Sequence, residues 1–186
     1  MAQYNGYVAV PHGSYNQWRA STLGNGYNVD FMYGNQCWDF CALLYWQYGR
    51  TLITKPGGGS AYECWTVSRQ ANSKSPFVSI DDVKNIKRGD IIVINRGGRN
   101  TTGHIAFADE DYNGTNYIKL LGQNQGGVNG NVNVAKSSLA RFLGIFRNTL
   151  WTESPEPPTP TPVVVDLSKR KFPWAVAWAH WDNFKH

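Results

Sequence analysis

Residues 37–48 read CWDFCALLYWQY. Apolar side chains fall at positions 37, 40, 41, 44, 45 and 48, the three-four spacing of one helix face, and Gly49 follows as a stop. The stretch predicts a buried helix whose first residue is Cys37. On its N-terminal side lies a Gly/Asn-rich loop, 25–36, and before that a short helix over 15–23, capped by Ser14 and ended by Gly24. On its C-terminal side the glycines at 57–59 form a loop, and 61–71 reads as a further helix. Then the character changes. DIIVIN (90–95), HIAFA (104–108) and YIKLL (117–121) are short β-branched or apolar runs, separated by the turn words RGGRNTTG and EDYNGTN. Residues 131–134 and 142–147 are two further candidate strands. Helices first and an antiparallel meander second is the order of an α+β fold.

The chain has 186 residues, room for one ordinary domain and an appendage. The boundary is ESPEPPTPTP, residues 153–162, with five prolines in ten positions, which reads as an extended spacer. The expected organisation is a catalytic domain over 1–150, a Pro-rich linker over 151–162 and a Trp-rich tail over 163–186. In that tail Trp174, Trp178 and Trp181 would form a one-sided aromatic helix, a candidate targeting segment. No run approaches membrane-spanning length, and the first 25 residues hold no apolar signal core. A protein of this kind acting outside a cell is expected to leave by another route.

Net charge is +5, and its distribution is uneven. Residues 1–150 hold 14 Lys/Arg against 9 Asp/Glu, whereas 151–186 hold 4 of each. The basic excess of the first part suits anionic partners or plain solubility. Basic side chains are not clustered into words, so nucleic acid is not expected as a partner.

The three cysteines, Cys37, Cys41 and Cys64, are too few for a disulfide framework and lack zinc spacing. Cys41 and Cys64 read as core thiols. Cys37 differs, because backbone N–H groups in the first turn of a helix stabilise a thiolate. His104 follows Gly103 at the start of an apolar strand. A Cys at a helix start and a His on a later strand can form the nucleophile and base of a cysteine hydrolase. Asp109, Glu110 and Asp111 precede Asn113-Gly114 and read as a solvated hairpin turn. Trp38 and Trp65 belong either to a polymer-binding groove or to the core.

Four words, in order, carry a resemblance to a known family. They are Tyr33-Gly-Asn-Gln-Cys37-Trp-Asp39-Phe, Lys87-Arg-Gly89-Asp90-Ile-Ile-Val, Gly103-His104-Ile-Ala-Phe and Leu121-Gly-Gln123-Asn124-Gln125-Gly. Together they resemble the CHAP family (cysteine, histidine-dependent amidohydrolase/peptidase) over about residues 14–148. The resemblance implies a papain-like fold with N-terminal helices packed on an antiparallel sheet. It also implies a peptidoglycan hydrolase of the phage endolysin or virion-associated type, cutting either the N-acetylmuramoyl-L-alanine amide or a stem or cross-bridge peptide bond. Cys37 would be the nucleophile and His104 the general base. Asn124 would orient the imidazole or help bind the oxyanion, and Gln36 would join the Cys37 N–H as an oxyanion donor. Many family members carry a Glu at the position of Gly122, and this chain does not.

The loop before Cys37 resembles the calcium loop of some of these enzymes. Asn28, Asp30 and Asp39 would ligate through side chains, and Met32 and Gly34 through carbonyls, giving a hard cation an oxygen shell. The alternative is a plain Asn/Asp/Gly loop without metal. The implied partners are peptidoglycan and anionic wall polymers, the implied state is a monomer, and the implied location is the host cytoplasm before release to the wall at lysis, or the virion. A different class of protein, a non-catalytic wall-binding or structural phage protein that retains the fold, is the rival reading.

Overall fold

The computed structural model describes residues 3–4, 7–8, 12–52, 59–71, 76–98, 101–126 and 130–152. The chain divides into two units, Met1–Ser154 and Pro155–His186. The expected linker from 153 onward and the Trp-rich tail lie outside the described residues.

A two-residue pair, β1 (Gln3–Tyr4) and β2 (Tyr7–Val8), opens the first unit. Helix α1 (Tyr15–Thr22) begins at Ser14, whose hydroxyl accepts from the Gln17 N–H at 3.3 Å. Helix α2 (Cys37–Gln47) ends in a Schellman motif: Gly49 sits at φ 64°, and the N–H groups of Gly49 and Arg50 donate to the carbonyls of Trp46 and Tyr45. Helix α3 (Glu63–Ala71) follows. Strands β3 (Phe77–Ile80), β4 (Ile91–Ile94), β5 (His104–Ala108), β6 (Tyr117–Gly122), β7 (Asn133–Ser138) and β8 (Phe142–Asn148) form one antiparallel sheet in the order β3-β8-β4-β5-β6-β7. A short 3₁₀ turn, Val83–Asn85, joins β3 to β4.

All four residues of β4 are buried because both faces of the sheet are covered. Ile91 and Val93 face the helices, with Phe40, Phe107, Phe146 and Trp18. Ile92 and Ile94 face a second cluster built from Ile86, Ile118, Leu120, Leu139 and Ile145. On the helix side the packing is aromatic. Phe40 of α2 meets Phe107 of β5 edge-on at 5.0 Å and stacks with Trp18 of α1 at 5.2 Å. Each such side chain contributes about 2 kcal/mol through burial. These contacts lay α2 against β5 and bring the first turn of the helix to the start of the strand.

The elements differ from the sequence reading in three places. Helix α2 is buried as expected, and its burial runs continuously from Asp39 to Tyr45, beyond the one face that the apolar spacing marks. Strand β3 carries no sequence signal, since FVSI is four residues long and only Phe77 is deeply buried. Strand β7 runs over 133–138 instead of 131–134; it is a polar edge strand, NVAKSS, with no apolar alternation to mark it. The acidic run serves separate partners. Asp109 binds Arg19 at 2.7 Å and the Tyr15 hydroxyl at 2.9 Å, Glu110 accepts from the Lys119 N–H at 3.0 Å, and Asp111 meets Lys87 at 3.1 Å. Trp65 is in the core, with Gly144 packed against its ring face.

Candidate active site

Gly103 sets the position of His104. Its φ is 71°, and a Cβ there would lie 2.6 Å from both Ile94 O and Tyr62 Cβ, so only glycine lets β5 begin this close to β4 and α3's approach. His104 then faces Cys37 at the start of α2, and the two side chains are hydrogen bonded. Both are half-buried.

Two opposing influences act on each partner. Burial pushes the Cys37 thiol up, but the hydrogen bond and charge of His104, with backbone N–H donors from Ile105 and Trp38, outweigh it and bring the thiol below its ordinary value. Burial lowers His104, while the bond and charge of Cys37 and the bond to Gln125 raise it above an ordinary histidine. Both shifts favour a thiolate–imidazolium pair. The other two thiols differ: burial raises Cys41 well above its ordinary value, and raises Cys64 too, with the Cys37 charge adding to both. They are fully buried.

The imidazole is held by Gln125, three residues beyond Gly122. His104 Nε2 lies 3.0 Å from Gln125 Oε1. The amide nitrogen of Gln125 donates to Leu120 O at 2.9 Å and Asn133 O at 2.8 Å, so its oxygen must be the acceptor toward His104. Nε2 therefore carries a proton, and Nδ1 faces the thiol. Of the two roles expected for Asn124, orienting the imidazole falls to Gln125 instead. The Asn124 side chain turns the other way, and Nδ2 donates to Gln36 Oε1 at 2.9 Å. Asn124 adopts φ 52°, which aims adjacent side chains of the Gln123-Asn124-Gln125 word in different directions.

Each amide of that word has its own task. Gln123, fully buried, accepts from the Tyr27 N–H at 2.7 Å and donates to the carbonyls of Tyr27 and Gln36 at 2.9 Å each. It ties the loop before Cys37 to the end of β6. Gln123 and Gln125 were missed as site residues; the signal available was three consecutive amides directly after an apolar strand.

Gln36 stands where the helix begins. Its Nε2 donates to Tyr33 O at 2.7 Å, which leaves the second amide proton for another acceptor. The Cys37 N–H, in the first turn of α2, has no intrahelical acceptor. Both donors flank the Cys37 side chain at the start of α2. A cleft of about 200 Å³ runs along α2 past Trp38, Ala42, Trp46 and Leu52, but neither Cys37 nor His104 lines it.

Four of the proposed metal ligands, Asn28, Asp30, Met32 and Gly34, lie in the loop before α2, and Asp39 lies in the first turn of the helix. Asp39 is almost fully buried; its two oxygens accept from the N–H groups of Val29 and Gln36, both at 2.9 Å. Burial, with a smaller contribution from the charge of Asp30, raises its carboxyl to about 6 against those bonds. Asp30 Oδ1 accepts from the Met32 N–H at 2.8 Å. Among the described residues no group of three or more His, Cys, Asp or Glu side chains could hold a metal, so a cation here would depend on the amide and carbonyl oxygens. The donor set is all oxygen and fits calcium in kind.

With this geometry established, comparison with known proteins assigns the family. The family model of the CHAP domain matches residues 22–124, more than half of the chain, and the chain belongs to that family. A curated relative, "D-alanyl-L-alanine endopeptidase" of Streptococcus phage B30, is 32% identical over 128 residues. That match covers 66% of this chain and 27% of the relative, so the chain spans about a quarter of that protein's length. Among solved structures, the wild-type endolysin LysIME-EF1 aligns with a TM-score of 0.54 and 20% identity, covering 74% of this chain and 65% of that one. Ly7917 aligns with a TM-score of 0.49 and 16% identity, over 72% and 60%. The likeness to LysIME-EF1 establishes the α+β fold. No helix among the described residues is long and apolar enough to cross a membrane.

Proposed function

We propose that this chain is a peptidoglycan hydrolase that cuts an amide bond with Cys37 as nucleophile and His104 as base and acid. The observation that carries the reading is the hydrogen bond between Cys37 and His104, with the thiol lowered and the imidazole raised. Membership of the CHAP family and the name of the phage relative supply the substrate class. That name favours a peptide bond between D-alanine and L-alanine over the muramoyl amide.

In this mechanism the Cys37 thiolate attacks the amide carbonyl and a C–S bond forms. The oxygen's developing charge is met by the Cys37 N–H and Gln36. The C–N bond then breaks, and the leaving amine takes its proton from His104 Nδ1. Water, deprotonated by the now neutral His104, hydrolyses the thioester and frees the thiolate. Gln125 positions the imidazole throughout. A calcium ion on Asn28, Asp30, Asp39 and the carbonyls of Met32 and Gly34 would brace the loop that leads to Cys37. The enzyme would work as a monomer at the wall, where the basic excess of the first unit meets anionic polymers, after release at lysis or delivery on a virion.

Digestion of purified walls followed by mass spectrometry of the released ends tests the reading. New amino termini at alanine are expected, and Cys37→Ala should release none, whereas Cys41→Ala should still digest. Release by Cys37→Ala would sink the mechanism.

A further inference from the structure

Among the described residues three that are not glycine have positive φ: Phe31 at 60°, Tyr33 at 60° and Asn124 at 52°. Two of them, Tyr33 and Asn124, meet through Gln36. Its amide nitrogen donates to Tyr33 O at 2.7 Å, and its oxygen accepts from Asn124 at 2.9 Å. On the other side of the turn, Asp30 Oδ1 holds the Met32 N–H at 2.8 Å. The turn is therefore pinned at both ends and leads directly into the nucleophile. Asn tolerates the left-handed region, but a bulky aromatic there costs about 1–3 kcal/mol.

Burial does not offset that cost. Phe31 is 68% exposed, Met32 52% and Tyr33 85%. Single exposed apolar residues are ordinary, but three in succession on a pinned turn beside a reactive thiol mark a surface that something covers. The turn's own chemistry narrows the occupant. Residues 30–36 read DFMYGNQ: the charge is the carboxylate of Asp30, and no Lys or Arg stands there to receive an anionic polymer. What the turn offers is flat apolar rings with a hydroxyl at the rim. A pyranose ring presents the complement, a C–H face edged with hydroxyls.

We propose that Phe31 and Tyr33 form a glycan-binding element, which packs against sugar rings of the peptidoglycan strand and so delivers the attached peptide to Cys37. This rests on the reading of the chain as a peptidoglycan hydrolase.

The test uses the full chain carrying Cys37→Ala, which binds without cutting, and purified walls before and after acid removal of their anionic polymers. Adding Phe31→Asn and Tyr33→Asn removes the rings while suiting the left-handed backbone. Binding should weaken about tenfold on both wall preparations, and Tyr33→Phe should retain it. With Cys37 intact, the ring-free variant should need more wall for half-maximal digestion, while Cys37 alkylation without wall keeps its rate. Equal binding with and without the rings would overturn the proposal. So would binding that vanishes with the anionic polymers, which would assign the contact to them. A fall of several degrees in melting temperature on ring removal would also overturn it, by placing the rings in the protein's own packing. If the wild type fails to digest walls yet binds them through the rings, the hydrolase reading fails and the glycan site stands.

Discussion

Gly122 packs tightly against Gln125: a Cβ on Gly122 would lie 3.0 Å from Gln125 Oε1, and 2.8 Å from Ala106 Cβ. The space beside His104 that a residue at 122 would reach into is thus occupied by the carboxamide that accepts from the imidazole. The missing Glu at 122 and the presence of Gln125 are two sides of one arrangement.

Gln125→Ala should therefore reduce wall digestion by about 100-fold or more, since losing the group that fixes a catalytic histidine's tautomer has effects of that order or larger. It also strands the carbonyls of Leu120 and Asn133, costing about 1–3 kcal/mol in denaturant unfolding. Asn124→Ala should leave the pH profile of Cys37 alkylation where it was. A displaced profile in Asn124→Ala and an unchanged one in Gln125→Ala would reverse the assignment.

The shifts of Cys37 and His104 predict a thiol that reacts at lower pH than an ordinary cysteine. The thiol is lowered and the imidazole raised, so both shifts move the pair toward its charged form. The apparent values belong to the pair as a whole. Iodoacetamide should modify Cys37 rapidly at neutral pH, falling off as acid protonates the thiolate. His104→Ala should move the rise to higher pH and slow modification at pH 7 by about tenfold or more.

Gly103→Ala tests the tight start of β5. The new methyl would meet the Ile94 carbonyl and Tyr62 Cβ, both at 2.6 Å, in a backbone conformation that alanine disfavours. A loss of about 2–4 kcal/mol in unfolding free energy is expected. A variant of wild-type stability would show that β5 can shift.

Asp90 gives a pH test of stability. It is buried and pairs with Arg147, whose Nη2 lies 2.7 Å away. Burial raises its carboxyl above the ordinary value despite that partner. A raised folded value means that the native state holds the proton more tightly than the unfolded chain, so this group's contribution falls as pH rises through the window above the unfolded value. Arg147→Ala widens the window. Its loss should be about 3 kcal/mol at neutral pH, and smaller in acid, where Asp90 is protonated. A loss independent of pH would show that Asp90 stays neutral throughout.

If the loop before Cys37 binds calcium, adding Ca²⁺ should raise the melting temperature of the wild type by a few degrees and chelation should lower it. Asp30→Asn should lose most of that response. A melting temperature indifferent to Ca²⁺ in the wild type would remove the metal from the mechanism.

Several local features were readable because their causes are local. The N-cap at Ser14, the stop at Gly49 and the strands at 91–94 and 104–108 each depend on neighbours within a few residues. Strands β3 and β7 were not readable. One is too short, and the other lies at a polar edge, where pairing with β6 rather than an apolar face makes it a strand. Trp65 could be either groove or core until Gly144 was seen to lie under its ring.

The same division runs through the site. That Cys37 opens a helix and His104 a strand is legible locally, since capping residues, apolar spacing and a preceding glycine act along the chain. Which amide would face the imidazole was decided only by tertiary structure. Gln123, Asn124 and Gln125 are similar side chains in adjacent positions, and nothing local distinguishes their tasks. The left-handed turn at Asn124, the carbonyls of Leu120 and Asn133, and the vacant Cβ of Gly122 come from β5, β6 and β7 together. Direction in space, set by packing between segments far apart in the chain, selected Gln125.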